Sequence, residues 1–245
     1  ESRYRHGSFR NFPQGCAGAF DRFAGFEHLA LIGLTSHLST ADDPESDFVQ
    51  AQRRRFERIV LSGRARGLGL RSNNISNSAG TAIHEDLHFE MVRCGIMLYG
   101  GLPNPEFISP VGLKPVMHFR ARVLQLRVLE DRTPVSYGRT HYTEGNRRIA
   151  VISAGYGDGI PRRLSNRGFV LIRGKRVPVV GTICMNLTLC DVTDIQQVKV
   201  GDEVVMLGSQ GNSRITGDEM AKWAETISYE IFCSIGQMNQ KEYRE

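Results

Sequence analysis

Several short motifs carry polar residues of types that could take part in chemistry. Arg93 lies within an apolar segment, where burial of its charge requires a partner, so a salt bridge and a ligand clamp are both open. Ser78 lies in a run of small residues whose backbone N–H groups could bind a phosphate, although an ordinary turn explains such a run more often. Tyr137 and Tyr156 lie among glycines at predicted strand ends, where most tyrosines pack with an exposed hydroxyl. Taken singly, each motif has an ordinary structural explanation beside the chemical one.

A further motif has the spacing of a zinc protease site. On a helix, His84 and His88 would share one face, and Glu85 could act as a general base. Gly80 upstream and a predicted strand over residues 91–99 leave barely two helical turns, and no third ligand is evident from spacing. We therefore predict a polar connection here and no metal site, with a zinc protease kept as an alternative.

Composition narrows the classes of protein to which the chain can belong. Of its 245 residues, 40% are hydrophobic and 23% are charged, which is typical of a globular protein with one large domain or two smaller ones. No run approaches the roughly 18 apolar residues of a membrane helix. The polar first residues predict no signal peptide. We expect a cytoplasmic protein with no membrane partner.

Charge and cysteine spacing exclude further classes. The net charge of +5 is spread along the chain, and the pair Arg162-Arg163 is interpreted as a solvated face, so no nucleic-acid partner is expected. The five cysteines are odd in number and widely spaced. That pattern argues against a disulfide framework and a thiolate zinc site, and it favours a reducing compartment.

The first half of the chain has the pattern of βα units. An apolar run over residues 28–37 predicts a buried strand, and Asp43 has the residue type of a helix cap just after it. Two more short strands are predicted over residues 70–75 and 91–99. A strand, a helix and a strand at this spacing predict a parallel sheet.

The second half changes to short strands at close intervals, separated by turns rich in Gly and Asn. This is typical of an all-β barrel or sandwich. Thr216-Gly217-Asp218-Glu219 is a capping box that opens one helix. We predict a boundary near Pro110, which divides the chain into residues 1–109 and 110–245. Strands are predicted over residues 118–129, 148–154, 168–172, 177–181, 187–191 and 203–207.

Taken in order along the chain, the motifs resemble those of alanine racemases, over about residues 27–236. The resemblance implies a partial (β/α)₈ barrel of the TIM type followed by a C-terminal β-barrel or β-rich domain. It also implies interconversion of L- and D-alanine through an aldimine of pyridoxal 5'-phosphate, for peptidoglycan supply, by a homodimer with shared active sites. The motifs are Thr35-Ser36-His37, Asn77-Ser78-Ala79, residues 91–100, residues 135–140, residues 155–159, residues 180–186, residues 191–195 and residues 226–230.

The resemblance also implies roles for individual residues. Racemisation removes the Cα proton on one face and returns a proton on the other, so two bases must flank the substrate. Tyr137 corresponds to one base, contributed to the partner subunit's site, and Arg93 to the residue facing the pyridine nitrogen. Because arginine can only donate, that nitrogen would stay unprotonated. The implied cofactor-binding residues are His37, Asn77, Ser78, Arg93, Gly95, Ile96 and Tyr229, and the implied substrate-binding residues are Met185, Tyr156 and Arg10.

The chain departs from the family pattern in two ways. The motif with the Schiff-base lysine, which is the second base, is absent, and the five lysines present all lie from Lys114 onward. Asn186 replaces the usual aspartate after Cys184-Met185. A full barrel takes roughly 250 residues, whereas 109 precede the predicted boundary. We therefore expect this chain to correspond to the C-terminal two-thirds of the enzyme and to be inactive alone.

Two other functions stay open beside alanine racemisation. One is racemisation of another small amino acid such as serine, since the substrate pocket and not the cofactor site decides this preference. The other is a cofactor-free dimerisation or binding remnant, in keeping with the missing lysine. The presence of Arg93, Tyr137 and Tyr229 weighs against a remnant, because a dead site has no physical use for them.

Overall fold

The computed structural model describes residues 12–43, 45–104 and 106–243, with side chains from Gly18 onward. The chain forms two compact units. One comprises the chain up to Met97 together with Phe107–Gly112, and the other comprises Leu98–Glu106 and the chain from Leu113 onward. The division into residues 1–109 and 110–245 stays a prediction.

Among its described residues, the first unit contains three α-helices, α1 (Phe12–Ala24), α2 (Phe48–Ala65) and α3 (Ser78–Ile83). One face of α2 is buried at intervals of three and four residues, as in an amphipathic helix packed on a core. The chain then passes through Gly67, whose φ of +80° suits a residue without a side chain. The buried residues of α2 are Val49, Gln52, Phe56, Val60 and Gly63.

The helix predicted to be capped by Asp43 begins five residues later, at Phe48. The Oδ1 atom of Asp43 accepts a hydrogen bond from the Glu45 N–H at 3.1 Å, and its carbonyl oxygen accepts one from the Ser46 N–H at 3.2 Å. These bonds close a turn that precedes the helix. The prediction was wrong because an aspartate side chain caps a local turn as readily as a helix.

The three strands predicted in the first unit are extended segments joined by few backbone bonds. Thr35 and Asn74 form an isolated parallel bridge, and the Arg93 N–H donates to the Ser76 carbonyl at 3.1 Å. The segments therefore lie side by side in chain order, as consecutive βα units do. The predicted strand over residues 91–99 was wrong at its end, because Ile96–Tyr99 forms a 3₁₀ turn.

The strands of the second unit are β1 (Phe119–Leu129), β2 (Pro134–Val135), β3 (His141–Tyr142), β4 (Arg147–Ile152), β5 (Phe169–Ile172), β6 (Lys175–Pro178), β7 (Thr188–Asp191), β8 (Glu203–Gln210) and β9 (Ser213–Ile215). Seven of them form an antiparallel sheet in the order β6-β5-β8-β1-β4-β7, with β9 paired to β8. A separate two-stranded sheet joins β2 and β3. Six of the strands match the predicted ones to within a few residues.

The two ends of this strand order meet. Val179, directly after β6, forms an antiparallel bridge with Cys190 of β7, and the Val180 N–H donates to the Leu189 carbonyl at 2.9 Å. The strands thus enclose a core in which Ile152, Leu171 and other aliphatic side chains are fully buried. Cys190 belongs to that core: burial, with the charge of Asp191 second, raises the pKa of its thiol far above the ordinary value.

Two helices, α4 (Gly217–Ala224) and α5 (Ser228–Met238), complete the second unit. The predicted capping box is confirmed. The Thr216 Oγ1 accepts from the Glu219 N–H at 3.1 Å, and Glu219 Oε2 accepts from the Thr216 N–H at 3.2 Å. The helix α5, whose residues Ile231 and Ile235 are buried, was not predicted from the sequence. No helix among the described residues has the length and apolar character needed to cross a membrane.

An ion-pair cluster lies at the C-terminal end of α4. The carboxylate of Glu225 pairs with Arg163 at 2.9 Å and with Arg167 at 2.6 Å. The hydrogen bond from Arg167, followed by the charge of Arg163, lowers the pKa of Glu225 below its ordinary value. The cluster ties α4 to the turn Arg162–Leu164.

The capping box predicts a measurable stabilisation of the second unit. Thr216→Ala removes the oxygen that accepts from the Glu219 N–H and should lower the free energy of unfolding by about 1 kcal/mol. Thr216→Ser keeps that oxygen and is the matched control. Urea unfolding at equilibrium measures both variants, and equal losses for the two would contradict the capping role.

The ion-pair cluster predicts a pH dependence. Glu225→Gln should lower stability at neutral pH, because the folded state favours the charged carboxylate. A carboxyl with a depressed pKa contributes its full stabilisation above the ordinary value of 4.5, and the contribution is lost as the pH falls through the lowered pKa. Thermal unfolding from neutral to acidic pH should therefore show the two proteins converging in acid. Asp194→Asn, which removes an exposed carboxylate elsewhere, is the control, and a pH-independent gap would contradict the assignment.

Candidate active site

In the first unit, several of the predicted site residues lie where the extended segments end. His37 follows the first segment, Asn77 and Ser78 follow the second, and Arg93 and Gly95 lie at the end of the third. Side chains at the carboxyl ends of parallel segments converge on one edge, which is where barrel enzymes carry their active sites. The sequence thus identified residues that the fold does bring to neighbouring positions.

Arg93 is held on the first segment by two contacts of its guanidinium. Its Nη2 atom lies 2.6 Å from the Ser36 carbonyl oxygen and 3.3 Å from His37 Nδ1. Because a guanidinium only donates, Nδ1 of His37 must accept, and the imidazole carries its proton on Nε2. The side chain of Arg93 is therefore oriented by its neighbours, as a residue that faces a ligand must be.

Ser78 and Gly95 form a second contact between these segments. The Gly95 N–H donates to Ser78 Oγ at 2.9 Å, and Ser78 is buried, at 3% exposure. Since Oγ accepts this bond, the hydroxyl proton can be donated to a ligand. Beside it the backbone of Gly95 carries no side chain, and Ile96 begins the 3₁₀ turn. This set consists of donors and suits an anionic group.

Asn77 has a structural role that its motif did not reveal. Its Oδ1 accepts from the Gly80 N–H at 3.0 Å and caps α3, while its Nδ2 donates to the Leu38 carbonyl at 3.4 Å. The expected part of Asn77 in cofactor binding stays a prediction. Tyr229 lies in the first turn of α5 in the second unit, and its part likewise stays a prediction. Arg10 lies outside the described residues.

The second unit has a cavity of about 400 Å³ that brings three predicted residues together, Tyr137, Tyr156 and Met185. Arg162 also lines it, although the arginine pair was interpreted as a solvated face. The signal that could have identified Arg162 is its position just after the glycine-rich turn of Tyr156. The lining contains a cation and no carboxylate, so the cavity suits an anionic ligand. Its other residues are Thr182, Ile183, Cys184, Asn186 and Leu187.

Close backbone contact joins the Tyr156 turn to Met185. The Tyr156 N–H donates to the Cys184 carbonyl at 3.0 Å, and the Gly157 N–H donates to the Met185 carbonyl at 2.7 Å. A Cβ atom at Gly155 would lie 2.2 Å from the Cys184 oxygen. The glycine before Tyr156 is therefore required for this approach, which explains why a tyrosine here is flanked by glycines.

Tyr137 lies in a short 3₁₀ turn, Tyr137–Arg139, that follows β2. Its side chain is 73% exposed and faces the cavity rather than the core. The Thr182 Oγ1 donates to the Tyr137 carbonyl at 2.8 Å, and the Ser136 Oγ donates to the Thr182 carbonyl at 2.5 Å. The turn is thus attached to the segment that also carries Met185.

A second cavity, of about 360 Å³, shares Tyr156 and Arg162 with the first. The Glu225 and Arg163 pair and residues of α5 line its other side. Tyr156 and Arg162 therefore form the boundary that the two cavities have in common.

The zinc protease alternative lacks its helix. His84 ends α3, and Glu85–Leu87 forms a 3₁₀ turn, so the two histidines do not follow one another on an α-helical face. Nε2 of His88 lies 2.9 Å from the Thr81 carbonyl oxygen. Within the described part of the chain, no three His, Cys, Asp or Glu side chains gather as a metal site requires. The predicted polar connection describes this segment.

Comparison with known proteins gives consistent matches over nearly the whole chain. The family models described as alanine racemase N-terminal domain and alanine racemase C-terminal domain match residues 5–103 and 116–243. The alanine racemase of Syntrophobacter fumaroxidans is 44% identical over 215 residues, which cover 88% of this chain and 57% of that protein.

Two solved structures extend the comparison to the fold. The alanine racemase of Streptomyces coelicolor superposes with a TM-score of 0.86 at 35% identity, over 92% of this chain and 59% of its own. That of Bartonella henselae, described with covalently bound pyridoxal phosphate, has a TM-score of 0.81 at 30% identity, over 95% of this chain and 62% of its own.

The chain therefore spans about three-fifths of the length of the relatives that it matches. Their likeness confirms the predicted fold class, a partial barrel followed by a β-rich domain. The family predicted from the motifs is confirmed as well. On the family models, the sequence identity and the shared fold, this chain belongs to the alanine racemase family.

Proposed function

We propose that the complete protein to which this chain belongs interconverts L- and D-alanine with pyridoxal 5'-phosphate. The observation that carries the proposal is the cavity in which Tyr137, Tyr156, Met185 and Arg162 meet. This cavity brings together a phenol, which can exchange a proton, and a cation, which can attract a carboxylate. The relatives named alanine racemase support the substrate, and this chain spans only part of their length.

The donor set of the first unit fits pyridoxal phosphate. Ser78 Oγ accepts from the Gly95 N–H, so its hydroxyl proton can be donated to the phosphate beside the backbone of Gly95 and Ile96. Arg93 offers a permanent donor to the pyridine nitrogen. His37 orients Arg93 through its Nδ1 acceptor. When bound, the cofactor supplies the electron sink that stabilises a carbanion at Cα. A donor at the ring nitrogen, rather than an acid that protonates it, keeps that sink moderate and limits side reactions.

Tyr137 is the proposed base for one face of the substrate. A racemase must take a proton from one face of Cα and return one to the other, so it needs two groups that exchange protons. The phenol oxygen of Tyr137 exchanges the proton on its side. Met185 presents backbone beside the same cavity, and Arg162 adds a positive charge for the substrate carboxylate.

The second base is proposed to be the Schiff-base lysine of the family pattern. The lysines of this chain are Lys114, Lys175, Lys199, Lys222 and Lys241, so the unit that carries Ser78 and Arg93 contains none. We infer that the lysine belongs to the part of the relatives' length that this chain does not span. Alone, the 245 residues would then be inactive.

Assembly and physiological role form part of the proposal. We infer a homodimer in which the Tyr137 set of one subunit completes the site of the other. The D-alanine produced would supply peptidoglycan precursors in a bacterial cytoplasm. The motifs of the sequence resemble the family in both sets of residues, those around Arg93 and those around Tyr137.

Replacement of Tyr137 tests the proposed function. In the complete protein loaded with pyridoxal phosphate, Tyr137→Phe should lower kcat/KM for alanine by about 10²–10⁴-fold, the usual contribution of a general base. Circular dichroism of the alanine enantiomers follows the reaction. Tyr142→Phe, which alters another exposed tyrosine on the adjacent β3, should leave the rate near normal. Undiminished racemisation by Tyr137→Phe would overturn the assignment.

Borohydride trapping tests the position of the lysine. When the 245-residue chain is incubated with pyridoxal phosphate and reduced with borohydride, mass spectrometry should find no stoichiometric pyridoxyl adduct on any of its five lysines. The complete protein should give one adduct at a lysine that this chain lacks. A stoichiometric adduct on Lys114 or any other lysine of this chain would refute the inference.

A further inference from the structure

A chain of three hydrogen bonds leads from Asn166 to the turn that carries Tyr137. Asn166 Nδ2 lies 3.0 Å from Thr140 Oγ1, and that oxygen lies 3.3 Å from Thr182 Oγ1. Thr182 Oγ1 in turn lies 2.8 Å from the carbonyl oxygen of Tyr137. Asn166 is on an exposed loop of the second unit and does not line the Tyr137 cavity.

The direction of these bonds follows from the donors available. A backbone carbonyl only accepts, so the hydroxyl proton of Thr182 is donated to the Tyr137 oxygen. Thr182 Oγ1 must then accept from Thr140, and Thr140 Oγ1 must accept from the amide of Asn166. Every hydroxyl in the chain thus both accepts and donates, an arrangement in which each bond strengthens the next.

The turn needs such support because its backbone is strained. Ser136, with φ of 64° and ψ of −174°, occupies a region that is essentially reserved for glycine, and Arg139 has φ of 50°. Residues of this kind are destabilising and persist only where the surroundings hold them. Tyr137 lies between these two residues in the chain, so the position of its phenol depends on contacts that hold the turn from outside.

The side-chain oxygen of Asn166 supports the other end of the same turn. Its Oδ1 accepts from the Gly181 N–H at 2.5 Å. Gly181 packs so closely that a Cβ atom there would lie 2.7 Å from the Val135 carbonyl oxygen and 2.8 Å from the Ser136 Cβ. One amide therefore supports the start of the turn through Gly181 and its end through Thr140.

Asn166 is itself held in place for this task. It has φ of 58°, a left-handed conformation that asparagine adopts more readily than most residues. Oγ of the preceding residue, Ser165, accepts from the Ile183 N–H at 2.9 Å. This bond attaches the loop to the segment after Gly181 that lines the cavity. The amide group is thus presented in a fixed orientation.

We propose that Asn166 is a positioning residue for the phenol of Tyr137, acting through Thr140 and Thr182. This inference rests on the proposed function, in which Tyr137 exchanges the substrate proton. This chain of hydrogen bonds from Asn166 through Thr140 and Thr182, called the relay below, determines the position of the phenol oxygen relative to Cα of the substrate. A base displaced by about 1 Å can lose up to 10²-fold in rate.

Isotope effects in the complete protein loaded with pyridoxal phosphate provide the kinetic test. Asn166→Asp keeps an acceptor for Gly181 but cannot donate, so the Thr140 proton can serve the new carboxylate or Thr182 and not both. Thr140→Val removes the hydroxyl. Both variants should lower kcat about tenfold with little change in KM. Because the equilibrium constant fixes the ratio of kcat/KM for the two enantiomers, that ratio cannot show which of the two proton transfers has slowed. The α-deuterium isotope effect can, and it should rise only in the direction in which Tyr137 removes the proton.

Two further variants separate positioning from stability. Thr140→Ser keeps the hydroxyl and should restore near-normal kinetics. Thr193→Val removes a threonine hydroxyl that accepts from the Arg148 N–H at 2.9 Å and donates to Asp191, in the same domain but outside the cavity lining. It should leave both isotope effects unchanged. Isotope effects that rise equally in both directions, or stay unchanged, in Asn166→Asp and Thr140→Val would overturn the proposal.

A structural readout on the 245-residue chain does not depend on racemisation. Labelling tyrosine carbonyls with ¹³C and glycine with ¹⁵N selects three peptide bonds, those after Tyr99, Tyr137 and Tyr156. A weaker hydrogen bond to a carbonyl moves its resonance upfield. Neither variant removes the Thr182 hydroxyl, but both weaken the bond that it accepts, and this weakens the bond that it donates. In Asn166→Asp and Thr140→Val, the Tyr137 carbonyl should therefore move upfield while the other two stay.

The two tests fail separately. If the complete protein does not racemise alanine, but the Tyr137 resonance of the 245-residue chain moves as expected, the proposed function is refuted and the relay is supported. A Tyr137 resonance that stays in place in both variants would refute the relay, whatever the activity of the complete protein.

Discussion

The hydrogen bonds of Thr182 hold the candidate base of this chain in place. Thr182 is 7% exposed, its hydroxyl binds the Tyr137 carbonyl, and its own carbonyl accepts from Ser136. Through these bonds the strained Tyr137 turn is joined to the segment that continues to Met185. The sheet of the second unit supplies rigidity to this turn and segment, because the bridge between Val179 and Cys190 joins the two ends of its strand order. A flexible tyrosine on an open sheet would not keep a fixed distance from a substrate.

In the first unit, hydrogen bonds likewise orient a candidate residue, but that residue is a charged side chain and not a strained turn. The Arg93 guanidinium needs acceptors, and the Ser36 carbonyl and His37 Nδ1 accept from it and orient the side chain. At the end of neighbouring segments, Ser78 accepts from the Gly95 N–H and keeps its hydroxyl proton available for donation. The two units thus contribute different chemistry. The first offers donors suited to an anionic cofactor, and the second offers a phenol, a cation and a cavity.

Several local features could be read from the sequence because their causes are local. Six strands of the second half were predicted to within a few residues, since short apolar runs separated by glycine turns determine antiparallel hairpins, whereas the short strands β2, β3 and β9 were not predicted. The Thr216 capping box was predicted because its two bonds involve residues three apart. The α2 start at Phe48 was not, because Asp43 closes a turn of its own. The parallel segments of the first unit pair too briefly to count as strands, since a parallel sheet depends on neighbours distant in the chain.

The sequence alone determined the family, the order of the two kinds of architecture, and the identities of Arg93, Ser78, Tyr137 and Met185 as candidates, because motif order and residue type are properties of the chain itself. Tertiary structure alone decided that Arg162 joins Tyr137 in one cavity, that Asn77 caps a helix, and that Asn166 supports the Tyr137 turn. These depend on contacts between residues that lie 15 or more positions apart in the chain, or on a competition between caps and ligands for one side chain. Such contacts exist only after the backbone has brought them within about 3 Å, the length of a hydrogen bond.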